Sequence, residues 1–177
     1  GLSSNSVILD RDFGSGRGTP IDRKLIIEFL KNEISDLEPN LRVLEFGDTV
    51  FSEMFLMNSE RYQFNFLAGK HPTEDAENGL VLGDLTVESQ LVPQFDLIIA
   101  TQLLGFTQNP FKAASGLIAL LAPGGTILGT EPFCSPISQY DDKRWGDFFR
   151  FTPKGILSVF SDSRIADIKV KPLGNWE

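Results

Sequence analysis

The stretch RVLEFGDTVFSEMF, residues 42–55, puts a carboxylate, Glu45, and a glycine, Gly47, at the end of a short apolar run. An apolar strand that stops at a glycine and gives way to a helix is where open α/β sheets hold nucleotide-type cofactors, since backbone can approach a ligand there. Two of the glycines that usually permit this approach are missing. Other reactive side chains are few. His71 stands in the polar loop GKHPTED and reads as a surface residue, and Cys134 has no histidine near it in sequence, so it reads as a small semi-buried residue. One cysteine and one histidine cannot supply the soft-ligand cluster of a zinc site. The run GSGRG, residues 14–18, lacks the Lys-Ser/Thr ending of a phosphate loop and reads as a hinge or lid. A net charge of -8 makes nucleic acid a poor partner.

The elements that must position these residues follow from periodicity and punctuation. Residues 1–18 are expected to form a flexible arm and 19–177 one domain with a continuous core. Thr19-Pro20 predicts a capped helix start, with Ile21, Leu25, Ile26, Phe29, Leu30 and Ile34 on one stripe. Strands are predicted at 41–46, 62–67, 80–82, 95–101, 126–130 and 165–171, the clearest being FDLIIAT, whose unbroken apolar centre suits a strand covered on both faces. Helices are predicted from about Ser52, from Asn109-Pro110 to the APGG turn, and from Thr152-Pro153 to about Phe160. This alternation predicts an α/β fold, a three-layer Rossmann-like open sheet of mostly parallel strands with helices on both faces. The last hairpin is expected to be short of a strand. That leaves an edge for a second copy or a neighbouring domain. No long apolar run or export signal is seen, so the chain is expected to be cytoplasmic.

Four stretches, GRGTPIDRKLIIEFL (16–30), RVLEFGD (42–48), FDLIIATQLLGFTQNPFKAASGLIALLAPGGTILGTEPF (95–133) and RWGDFFRFTPKGI (144–156), resemble the class I S-adenosylmethionine-dependent methyltransferases, in particular the bacterial type 11-like members associated with sugar and polysaccharide modification. The resemblance implies S-adenosylmethionine as cofactor, bound by Glu45, Phe46, Gly47, Asp48, Asp84, Leu85, Thr101 and Gln102. In the family pattern an acid is followed by alternate glycines, and Thr49 and Phe51 occupy the second and third glycine positions here. Asp84 is placed near the adenine, though by residue type it reads equally as a turn or helix cap. The acid that usually follows the second strand is absent, with Glu74 and Asp75 as open substitutes, and Gly105-Phe106 replaces a Glu-His pair.

S-adenosylmethionine carries no phosphate, so a reduced glycine loop harms this reading less than a nicotinamide one. Methyl transfer requires alignment of acceptor and sulfonium in a dry site and, for a hydroxyl, a base. Glu131 and Asp147 are the candidate bases and Arg150 a clamp for an anionic acceptor, with Thr101, Gln102, Asp141, Asp142 and Trp145 on the same side; by residue type Trp145 and Phe148 are more often packing residues, and Asp142 with Lys143 more often a solvated surface pair. The expected function is methylation of a small molecule, with a sugar or saccharide intermediate in view. The alternative is a catalytically inactive module of the same fold.

Overall fold

The computed structural model describes residues 19–138 and 146–174; the expected arm and Asp141, Asp142 and Trp145 lie outside them. Helix α1 (Ile21–Ile34) leads into strand β1 (Arg42–Phe46) and helix α2 (Val50–Phe55). Strands β2 (Glu60–Phe66), β3 (Thr73–Asp75), β4 (Leu80–Gly83) and β5 (Phe95–Thr101) follow, then a 3-10 turn at Leu104–Phe106, helix α3 (Pro110–Leu120), strand β6 (Leu121–Thr130) and helix α4 (Pro153–Val159). The sheet order is β3-β4-β2-β1-β5-β6, parallel throughout except for β3 against β4. From β1 the chain adds β2 and β4 on one side, then crosses back to add β5 and β6 on the other. The switch point therefore falls between β1 and β5, the place where open α/β sheets hold ligands in a crevice beyond the carboxyl ends of the strands.

Alternation along the central strands explains their unbroken apolar character. Val43, Leu97 and Ile99 pack with Ile26, Leu30 and Phe51 beneath α1 and α2, whereas Leu44, Phe46 and Ile98 pack with Leu117, Leu120 and Val159 beneath α3 and α4. Both faces are covered, so both registers must be apolar. Helix α3 lies very close to the chain after β4: a Cβ on Gly116 would sit 2.2 Å from the Leu85 carbonyl oxygen, so only glycine fits.

Helix starts obey their caps where a side chain reaches. The Asn109 side chain accepts the Lys112 N–H at 3.0 Å ahead of Pro110, and Thr152 Oγ1 accepts the Gly155 N–H at 3.1 Å ahead of Pro153. The cap expected at Thr19 is not made; α1 opens at Pro20 with no side-chain cap. Two further expectations are corrected. Strand β6 begins at Leu121 rather than 126, because Leu121 pairs with Phe95 across a register shift between Phe95 and Leu97. Residues 165–171 form no strand: among the described residues no backbone hydrogen bond holds 166–174, and the segment is tied by side chains alone. Arg164 reaches Ser115 on α3 at 3.2 Å and Lys171 reaches Glu33 on α1 at 3.0 Å, so the segment passes from one face of the sheet to the other.

At the amino-terminal end of the sheet, Arg42 ties the short β3 hairpin to the central strands. Its guanidinium meets Glu74, the Tyr62 hydroxyl at 2.8 Å and Gln94 at 2.7 Å, and lies 4.7 Å from the Tyr62 ring centroid. Burial, with the Glu60 carboxylate accepting its proton, pushes the Tyr62 hydroxyl up to about 12. This network lies opposite the switch-point crevice and serves the scaffold.

Candidate active site

Gly47 follows β1 with φ +89, a conformation that costs a side-chain-bearing residue dearly. A Cβ built there meets nothing within 4 Å, so the space beside the loop is open. The two residues in the missing-glycine positions do not fill it. Phe51 is buried in the core beneath α1, with the Arg23 guanidinium 5.1 Å from its ring centroid, and Thr49 bonds Glu53 at 2.7 Å within α2. Asp48 is exposed and makes no hydrogen bond or ion pair among the described residues.

Glu45 does not face that space. Its two oxygens accept the N–H groups of Phe51 (3.0 Å) and Ser52 (2.8 Å), so the carboxyl fastens the start of α2 to the end of β1. Burial raises its pKa above the ordinary carboxylate value against the pull of those donors. The neighbouring strand supplies a contact not legible in the sequence: Gln63, opposite Glu45 in register, donates from Nε2 to the Gly47 carbonyl at 2.5 Å and holds the loop down. Only the β1–β2 register brings the two together.

Asp84, after β4, is likewise engaged. It accepts Gly69 N–H at 3.0 Å and the Thr86 N–H and hydroxyl at 2.9 and 2.7 Å, linking the chain after β4 to the turn after β2. Burial pushes this carboxyl up, but the Gly69 and Thr86 donors outweigh it and hold it below the ordinary value. Leu85 is buried in the core. Of the open substitutes for the second-strand acid, Glu74 belongs to the Arg42 network and Asp75 binds Asn78 at 2.8 Å in the β3–β4 turn, so both stand apart from this end.

Beyond β5, Thr101 is half-buried and Gln102 adopts φ +50, a left-handed conformation unusual for glutamine. Gln102 is held by its N–H to the Thr130 carbonyl at 2.6 Å and by its side chain to Asp22 of α1 at 3.3 Å. Strain of this kind gathers where a chain must present groups to a ligand. Thr130 Oγ1, at the end of β6, is buried with no hydrogen-bond partner among the described residues.

Glu131 sits at the centre of the next layer. It accepts the N–H groups of Leu103 (2.9 Å), Leu104 (2.6 Å) and Gly105 (3.1 Å), an anion cradle at the start of the 3-10 turn. Burial pushes its carboxyl up to about 7, with the three donors opposing. Asp147 and Arg150 form a two-pronged ion pair, and Arg150 also donates to the Ser135 and Pro136 carbonyls at 3.3 and 3.0 Å. The Arg150 guanidinium holds the Asp147 carboxyl below its usual range. Residues 131–138 and 146–152 thus form two limbs tied side by side over the β5 exit, with the N–H groups of Phe148 and Phe149 donating to the Gly105 carbonyl at 2.8 and 3.1 Å.

The structure therefore brings Gly47, Asp48, Thr101 and Gln102 to the crevice end of the sheet, while the candidate carboxylates Glu45, Asp84, Glu131 and Asp147 are engaged in fastening loops. Cys134 is exposed rather than semi-buried. No cluster of metal-ligating side chains occurs among the described residues.

No family model and no curated protein matches the sequence. Solved structures do. Haemonchus contortus phosphoethanolamine N-methyltransferase 2, in complex with phosphomonomethylethanolamine and S-adenosylhomocysteine, superposes with a TM-score of 0.54 at 13% identity over 77% of this chain and 35% of its own. The CurJ carbon methyltransferase gives 0.54 at 17% identity over 85% and 51%, and a Bacillus halodurans protein assigned as a methyltransferase gives 0.52 at 15% over 75% and 65%. Its fold is the Rossmann-like methyltransferase fold. The chain spans between about a third and two thirds of the length of these relatives. The first strand loop, the chain after β4 and the β5 exit all lie at the carboxyl-terminal end of this parallel sheet.

Proposed function

We propose that the chain binds S-adenosylmethionine at the β1–β5 switch point and transfers its methyl group to a small-molecule acceptor. The observation that carries this reading is Gly47, held at φ +89 beside open space while Phe51 and Thr49 are turned into α2 and the core. The residues present fit the group. Gly47 gives backbone access, Asp48 is an unspent acid for its amino group or ribose, and the chains at Asp84-Leu85 and Thr101-Gln102 bound the crevice. When bound, the cofactor would supply an electrophilic sulfonium methyl to an acceptor's lone pair, with sulfur as the leaving atom keeping the bonding pair.

The chain's own part is to align and to exclude water. Glu131 fixes the β5 exit loop by its three N–H bonds, and the Asp147–Arg150 pair locks the overlying limbs, so these residues position the acceptor. With those carboxylates engaged, an acceptor that carries its own lone pair suits the site, its proton leaving to solvent after transfer. The saccharide expected from the resemblance would need one of these carboxylates released as base for its hydroxyl. The reading also takes the protein as cytoplasmic; no helix among the described residues is long and apolar enough to cross a membrane. The outer side of β6, which pairs with no strand among the described residues, is the place for a second copy or a neighbouring domain.

Titration calorimetry with S-adenosylmethionine and S-adenosylhomocysteine tests the reading. Binding that depends on Gly47 is expected. No heat and no thermal shift at millimolar ligand would leave an inactive module of the same fold.

A further inference from the structure

Around the β5 exit, the two limbs tied to the 103–105 turn leave large apolar side chains in the open. Phe133 is 64% exposed, Ile137 66%, Phe148 44% and Phe149 39%. These are not loose ends. The Phe148 and Phe149 N–H groups are fixed on the Gly105 carbonyl, the Phe149 ring lies 6.0 Å from Phe151 and 6.4 Å from Phe148, and the Phe151 N–H donates to the Pro132 carbonyl at 3.3 Å. Rings on a fixed backbone, tilted against one another and exposed beside the β5 exit, are what an apolar binding wall needs, since little ordering cost attends binding.

Charge on the same limbs points the same way. Residues 129–138 and 146–152 contain three charged side chains, Glu131, Asp147 and Arg150, and all are spent: one on three backbone N–H groups, the others on each other and on carbonyls. Arg150 therefore has no free fork for an anionic acceptor. A charged ligand would have to break a two-pronged ion pair, whereas a neutral apolar one loses nothing by lying against the rings.

Resting on the methyl-transfer reading, we propose that the acceptor is a neutral molecule with an apolar, ring-bearing body, held against Phe133, Ile137, Phe148 and Phe149 with its nucleophilic atom directed toward the crevice. This narrows the acceptor away from a saccharide or a phosphorylated one. The wall and the cofactor crevice are then separate in their requirements: the first is apolar, the second is set by Gly47 and Asp48.

The test uses the full chain saturated with S-adenosylhomocysteine, with 2-naphthol as an apolar probe and methyl α-glucopyranoside as a saccharide probe, each followed by equilibrium dialysis. The double variant Phe133→Ser/Ile137→Ser changes exposed residues only and is expected to fold. Binding of 2-naphthol that weakens about tenfold or more in this variant, with S-adenosylhomocysteine affinity unchanged and no glucoside binding, supports the proposal. Glucoside binding, or naphthol binding that ignores the substitutions, overturns it. So does a wall covered by protein: naphthol binding seen only after removal of residues 1–18, or a dimer in solution that the double variant dissociates. Should naphthol binding respond to the substitutions while S-adenosylhomocysteine fails to bind at all, the apolar wall stands and its role as an acceptor site falls with the methyl-transfer reading.

Discussion

Substitution of Gly47 separates backbone strain from ligand access. At φ +89 any Cβ is unfavourable, at about 1–2 kcal/mol, yet a Cβ there meets no atom within 4 Å, so no clash is added. Gly47→Ala should therefore lower stability by about that amount, which for a chain of this size is a fall in Tm of roughly 2–8 °C. Gly47→Asn, which tolerates left-handed backbone, should recover part of the loss. Gly47→Phe should cost little more than alanine in stability, because its ring enters open space, but that space is the one proposed for the cofactor. Urea unfolding and calorimetry with S-adenosylhomocysteine read the two effects side by side. Wild-type affinity in a folded Gly47→Phe protein would remove this loop from the binding site, and an Ala variant as stable as the parent would show that the loop does not hold its left-handed turn.

Stability should peak at about pH 4–5. Asp84 and Asp147 have folded pKa values below 3.8, so the stability they add is present above that value and lost as pH falls through the lower folded ones. Glu131 is raised from 4.5 to about 7, so its share is complete below 4.5 and lost as pH climbs through about 7, a span of about 3 kcal/mol. Glu131→Gln should flatten that upper limb; denaturant midpoints across pH 3–8 that keep the same profile would refute it. Arg42→Lys should cost roughly 1–3 kcal/mol, since one ammonium cannot serve Glu74, Tyr62 and Gln94 together. It should leave S-adenosylhomocysteine binding untouched, as the network lies at the far end of the sheet. Gly116→Val should fold poorly or not at all, its Cβ being driven into the Leu85 carbonyl, and soluble yield with circular dichroism checks this.

What could be read in the sequence was whatever is decided locally. The unbroken run of β5 and the Asn109-Pro110 start of α3 each need only a few neighbouring residues, and both stand as expected. The hairpin at β3 was illegible because three polar residues become a strand only when Glu74 finds Arg42, 32 positions away. Conversely, 165–171 alternates like a strand but pairs with no strand among the described residues, and pairing rather than propensity makes a strand. The site divides in the same way. Glu45 and Glu131 could be picked out by type and place, but their oxygens are committed to N–H groups that loop geometry delivers, in the second case from 26 to 28 residues distant.

The segment after α4 lashes the two helical layers together from outside. Its ties, Arg164 to Ser115 and Lys171 to Glu33, are exposed and worth at most about 1 kcal/mol apiece. Such a strap comes undone long before the core opens, at a small fraction of the global unfolding free energy. Amide protons from 166 to 174 should exchange with solvent almost at once, and the first thermal event in this molecule is the slackening of that cord while the sheet beneath it stays whole.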